Sequence, residues 1–248
     1  MKMNINTKLQ KIAIKLLASV VIGGGGAMSV LPAYAGMEDD PLITKLMLGK
    51  FEVGNLKGTN PIAWESSAWI GKDINKLYLK FDGERVNGKN QGTESQLLLS
   101  HAISAFWDVQ GGIRHDTVPG ASRDYATIGV QGVAPYFFET DASLSFGKNN
   151  QVKLNTSFEY EMMLTQKWVL SPELGLNIYA KDDEKMGVGS GLSDVEAGLR
   201  LRYEVAREFA PYIGINWGKK FGGSADFATA EGEDTSETML VVGVRAWY

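Results

Sequence analysis

The sequence predicts an all-β protein, a single antiparallel transmembrane β-barrel of about 12 strands. Three observations predict it. From Leu42 onward, stretches of roughly ten residues alternate apolar and polar side chains with period two. Turn-forming residues separate them, and the gaps after odd-numbered stretches are mostly longer and more polar than those after even-numbered ones. The chain also closes on Val242, Val244, Ala246 and Tyr248, an apolar face ending on an aromatic residue, as in the C-terminal signal of outer-membrane proteins.

Residues 1–35 read as a secretory signal peptide. Lys2, Lys8, Lys11 and Lys15 precede the apolar stretch Leu16 to Leu31, and Ala33-Tyr34-Ala35 supplies a small-x-small cleavage site. The stretch is short for a spanning helix, and Gly23 to Gly26 weaken it further. Residues 36–41 form a short N-terminal segment, and residues 42–248 form the barrel. The 248-residue chain has no cysteine, which removes disulfide scaffolds and thiolate chemistry. A net charge of −4 argues against nucleic acid as a partner.

The strands are expected at about 42–54, 61–72, 76–86, 93–103, 106–115, 124–134, 137–147, 151–164, 168–180, 193–205, 209–221 and 237–248. Two stretches carry the pattern most fully. In 151–164, Val152, Leu154, Thr156, Phe158, Tyr160 and Met162 share one face, while Lys153, Asn155, Ser157, Glu159 and Glu161 share the other. In 192–205, Val195, Ala197, Leu199, Leu201 and Tyr203 oppose Glu196, Gly198, Arg200, Arg202 and Glu204. An even strand number returns both termini to one side, and the short turns assign that side to the periplasm. The long loops are expected at 55–60, 86–92, 116–123, 181–192 and 222–236, with 148–150 as a short exception. Aromatic residues near strand ends, among them Trp64, Tyr125, Tyr136, Phe137, Trp168, Phe209, Tyr212 and Trp247, suit interfacial girdles.

The expected lumen is densely charged. Glu65, Asp82, Asp108, Glu139, Asp141, Glu159, Glu161, Glu173, Glu196 and Glu204 point inward, as do Lys80, Arg114, Arg200, Arg202 and Arg245. Such charges either compensate one another or leave a thin cation-attracting path. His115-Asp116 pairs an imidazole with a carboxylate, a combination that binds divalent cations, acts as a base, or simply starts a loop. His101 shares a face with Leu97 and Leu99 and reads as interfacial. Met163 and Met186 offer thioethers, with Met162 and Met163 expected on opposite faces of the wall. Gly187 to Gly191 has no following helix or lysine, so it is turn chemistry and not a phosphate loop. Residues 228–237 read as an acidic hairpin tip.

Longer blocks carry a family resemblance. Gly191-Leu-Ser-Asp-Val-Glu-Ala-Gly-Leu-Arg-Leu-Arg-Tyr-Glu204, Arg207-Glu-Phe-Ala-Pro-Tyr-Ile-Gly214, Asn216-Trp217, Ala230-Glu-Gly-Glu-Asp234 and Gly243-Val-Arg-Ala-Trp-Tyr248 resemble the copper resistance protein B family. So do Asn60-Pro-Ile-Ala-Trp-Glu65, Trp69-Ile-Gly-Lys-Asp73, Gly111-Gly-Ile-Arg-His-Asp116, Gly129-Val-Gln-Gly132 and Tyr179-Ala-Lys-Asp-Asp183. The resemblance spans about 42–248 and implies an outer-membrane barrel that binds copper ions or passes them across the outer membrane, without catalysis. Copper of unspecified oxidation state is the implied ligand, outer-membrane lipid the surroundings, and a periplasmic copper carrier or oxidase the implied partner. Many members carry a Met- and His-rich extension before the barrel; here only Gly36 to Pro41 stand there. Metal ligands are therefore sought in the barrel at His115 and Asp116, with Met186 and Met163 as thioether contributors. A non-selective narrow pore and a barrel hydrolase are the competing readings; His115-Asp116 is the seed of the second, without a supporting Ser-His spacing.

Overall fold

The computed structural model describes residues 40–56 and 58–248; the expected signal peptide and residues 36–39 lie outside them. The strands are β1 (Ile43–Asn55), β2 (Ile62–Gly71), β3 (Asn75–Val86), β4 (Lys89–Ala102), β5 (Trp107–Val118), β6 (Ala121–Ala134) and β7 (Phe138–Gly147). They continue with β8 (Val152–Tyr160), β9 (Met162–Met163), β10 (Trp168–Tyr179), β11 (Gly191–Tyr203), β12 (Phe209–Lys220) and β13 (Ser236–Trp247). β8 and β9 are one stave interrupted at Glu161, since both pair with β10. Every stave is antiparallel to its neighbours, and β1 pairs with β13, which closes twelve staves into a barrel. Closure satisfies the backbone without an edge, as a sheet in lipid requires.

Burial is inverted relative to a water-soluble protein. Along β4, Leu97 and Leu99 are 44% and 69% exposed, whereas Gln96 and Ser100 are buried. Along β5, Ile113 is exposed while Gln110, Arg114 and Asp116 are buried. The outer wall is apolar and the bore is polar, the arrangement of a barrel seated in lipid. No helix among the described residues is long and apolar enough to cross a membrane.

Several expected boundaries shift. The loops expected at 86–92 and 116–123 shrink to Asn87-Gly88 and Pro119-Gly120, because the strands on either side run further than the apolar alternation. Asn87 and Gly88 have φ of 51° and 79°, the left-handed pair that a two-residue hairpin needs. Two long connections remain at that end of the barrel, here the loop end: 180–190, and 221–235 with helix α1 (Gly222–Glu231). The other end, here the turn end, has only short turns. In β1 a bulge between Leu48 and Lys50, at Gly49, resets the alternation. Without it Lys50 and Glu52 would follow Leu46 and Leu48 onto the lipid face; with it they enter the bore. Tyr125 and Tyr212, expected in the aromatic girdle, are buried in the bore instead, at 5% and 4% exposure.

Candidate functional site

The bore concentrates charged and polar side chains, and the register builds it. On adjacent staves, Glu65 of β2 faces Asp82 of β3, Asp82 faces Glu94 of β4, and Glu94 faces Asp116 of β5. Four carboxylates thus lie side by side on four adjacent staves of the wall. Across the bore, Glu139, Glu159 and Glu173 form a second row on β7, β8 and β10.

Cations tie the rows together. Lys50 Nζ lies 2.9 Å from Glu65 Oε2 and also donates to Glu173, so it spans the bore between the two rows. Arg200 donates to Glu173 at 2.6 Å and to Glu52 of β1. Arg202 and Arg245 converge on Glu161 at 2.6 and 2.7 Å. Arg114 grips Asp116 with two bonds of 2.6 and 3.0 Å, donates to Glu94, and reaches Asn155 at 2.9 Å. Lys153 adds a contact to Asp116 at 3.1 Å. Nearer the turn end, Lys80 meets Asp141 at 2.7 Å and Lys76 meets Asp108 at 3.0 Å. Much of the lumen charge is therefore compensated. Asp82 is the exception in its row: it makes no described ion pair, its neighbours on both sides are carboxylates, and its Oδ1 is buried without a hydrogen-bond partner.

The sequence-derived residues are distributed as follows. His115 and Asp116 do not share a site, because adjacent residues on a strand face opposite ways. Asp116 is in the bore with Arg114 and Lys153. His115 stands on the outer face, where Nδ1 meets Asp124 Oδ1 of β6 at 2.6 Å and Nε2 meets the Thr117 hydroxyl at 3.1 Å. Met163 is at the turn end and Met186 in the loop-end connection 180–190, so the two thioethers cannot meet on one ion. Met162 and Met163 are both exposed, at 42% and 61%, instead of dividing between lipid and bore, because the ladder breaks at Glu161. His101 stays on the outer wall and bonds Asn75 Oδ1 at 2.8 Å. Among the described residues, no three histidine or acidic side chains converge in an arrangement that would hold a metal ion by themselves.

Lys50, Glu52, Lys76, Glu94 and Asp116 also line the bore, beyond the charges expected there. For Lys50 and Glu52 the available signal was Gly49, since a glycine inside a strand marks a bulge. Lys76 and Glu94 follow from carrying the period of Lys80 and Gln96 toward the strand ends.

Outside the spanning region the two long connections are latched down. Arg123 Nε and Nη2 hold both oxygens of Asp183 at 2.8 and 2.9 Å, and Gln151 donates to the same carboxylate. Burial pushes the Asp183 carboxyl up, but the Arg123 and Gln151 hydrogen bonds and the Arg123 charge outweigh it and hold it below the usual carboxylate range. Ser224 of α1 meets the Ser193 hydroxyl at 2.8 Å and accepts from the Gly189 amide at 2.7 Å.

Residues 42–248 match the model of the family described as copper resistance protein B precursor (CopB). The chain is 38% identical over 212 residues to copper resistance protein B of Escherichia coli, covering 86% of this chain and 72% of that protein. It is 40% identical over 222 residues to the copper resistance protein B homolog of Pseudomonas syringae pv. tomato, covering 89% and 76%. Among solved structures, the NanC porin superposes with a TM-score of 0.54 at 11% identity, covering 82% of this chain and 99% of the porin, a likeness of fold alone.

Proposed function

Because this chain belongs to the copper resistance protein B family, whose members support a role in copper resistance at the outer membrane, we propose that it serves that role by receiving copper ions in its polar bore. The carboxylate row Glu65, Asp82, Glu94 and Asp116 is the receiving surface in this reading. The observation that carries it is Asp82: a buried carboxylate oxygen with no donor, flanked on both sides by acidic residues. Such a group is stabilised by any cation that reaches it, and inside a low-dielectric bore that stabilisation is larger than in water. Charge draws cations without choosing copper, so selectivity would arise from ligands the ion meets along the bore. The termini and short turns face the periplasm in this reading, toward a periplasmic copper carrier or oxidase, and the two long connections face outward.

The test is copper tolerance in a host lacking its own barrel, comparing the wild-type chain with Asp82→Asn and with His115→Ala at equal membrane abundance. The reading expects Asp82→Asn to change tolerance and His115→Ala to leave it alone; an effect confined to His115→Ala contradicts it.

One observation favours a second reading. Thr117, His115 and Asp124 stand in the order hydroxyl, imidazole, carboxylate, the order of an activated nucleophile in acyl hydrolases. Hydrolysis of an ester substrate by the purified barrel, lost in His115→Ala, would establish it; no turnover removes it.

A further inference from the structure

Near the loop end, the bore wall places a thioether among carboxylates that lack counter-ions. Along β13, Leu240 and Val242 are exposed on the outer wall at 64% and 61%, while Val241 and Gly243 are buried in the bore. The alternation therefore turns Met239 and Glu237 inward. Glu84 of β3 and Glu196 of β11 face inward by the same period, counted from Asp82 and Arg200.

Small residues leave a gap between these groups. Gly54 of β1, with Pro61 and Ala63 at the start of β2, lines the wall between Glu237 and Glu84. The Met239 sulfur occupies that gap: a methyl group on Gly54 would lie 2.8 Å from Met239 Sδ and 3.0 Å from Pro61 Cγ. On the other side, Gly218 separates Glu237 from Glu196 in register, and a methyl group there would meet only Glu237 Cγ, at 3.9 Å. Glu237 is near enough to Glu84 for its charge to act there, and Glu84 acts in turn on Glu196. The nearby cations are engaged elsewhere. Lys220 meets Glu233 at 2.9 Å, and Arg200 is held by Glu52 and Glu173. Among the described residues, Glu84, Glu196 and Glu237 have no ion-pair partner.

We propose that Met239, Glu84 and Glu237 form a soft-ion site at the loop-end mouth of the bore, where copper is taken as Cu(I) ahead of Lys50. Carboxylates attract any cation, whereas a thioether favours soft ions over sodium or magnesium. Met239 thus supplies the discrimination that the carboxylate row lacks, and the two acids stabilise the charge of the ion beside the sulfur. One thioether and two carboxylates hold an ion loosely, as a site on a conduction path requires. As a filter for the bore, this site rests on the function proposed above.

Silver(I) nitrate is the probe, a soft monovalent ion that keeps its oxidation state in air. The full chain, with isotope-labelled methionine methyl groups, is titrated in detergent micelles while the methyl resonances are followed; Met239→Leu assigns the Met239 signal. The site predicts that Met239 shifts at a silver concentration at least about five-fold below that needed for the exposed Met163, and that sodium and magnesium shift neither. Glu84→Gln with Glu237→Gln should raise the Met239 midpoint to that of Met163 and leave Met163 where it was. Met239 titrating together with Met163 in the wild-type chain overturns the site. An unmoved Met239 midpoint in the double variant overturns the part given to the carboxylates. Should the double variant fail to fold, the comparison of Met239 with Met163 in the wild-type chain decides alone. A barrel whose Met239 titrates first but which confers no copper tolerance sinks the function proposed above and leaves the binding site standing; tolerance without early titration of Met239 does the reverse.

Discussion

Lys50 on β1 donates to Glu173 on β10, 123 residues further along the chain and on the far side of the bore. Its other partner, Glu65, belongs to the opposite carboxylate row. One ammonium thus spans the space through which an ion would move. Lys50→Met should raise single-channel conductance in planar bilayers, because it removes the strap and leaves two acidic rows facing each other. A double-mutant cycle with Glu173→Gln should give a coupling of about 0.5–3 kcal/mol. Unchanged conductance would mean that the bore is closed elsewhere.

The loop-end latch has a pH signature. Asp183 titrates below its ordinary range because of Arg123 and Gln151. A carboxylate held down in the folded state contributes stability that is fully present above the unfolded value of about 3.9 and is lost as pH falls through the lower folded value. Protease cleavage within 180–190 should therefore be slow at neutral pH and accelerate only below about pH 4. Asp183→Asn should be cleaved faster at neutral pH and lose that acid dependence.

Gly243 should resist enlargement. A methyl group there would lie 2.6 Å from the Tyr212 ring and 2.7 Å from the Phe51 carbonyl oxygen. Gly243→Ala forces the buried ring or the β1–β13 seam to move and should cost about 1–3 kcal/mol. A lowered urea midpoint for vesicle-inserted barrel checks this, and a variant as stable as wild type would show that the seam yields freely.

The barrel was legible in the chain because period-two alternation flips cleanly at each residue. Lys153 and Glu159 fall inside, and Val195 and Leu199 outside, where the alternation places them. The bulge at Gly49 was not, since one inserted residue moves Lys50 and Glu52 to the other face without changing the composition around them. The hairpin lengths at Asn87-Gly88 and Pro119-Gly120 were also hidden, because polar residues such as Glu84, Arg85, Asn90, Gln91, Ser122, Arg123 and Asp124 break the apolar alternation before the strands end. Helix α1, in a stretch expected as loop, has no apolar stripe and buries only Ser224 and Ala228. That His115 and Asp116 oppose each other follows from strand geometry alone; that His115 finds Asp124 needs the register of β5 on β6, which the short Pro119-Gly120 turn sets.

In the proposed function copper is received at the carboxylate row of the bore and not at the outer-face histidine. Metal analysis of the purified full-length barrel after copper loading and desalting tests it most directly, on wild type, on Glu65→Gln/Asp82→Asn/Glu94→Gln, and on His115→Ala. Retention by wild type and His115→Ala with loss in the triple variant is the predicted result. Full retention by the triple variant, or loss confined to His115→Ala, would contradict it.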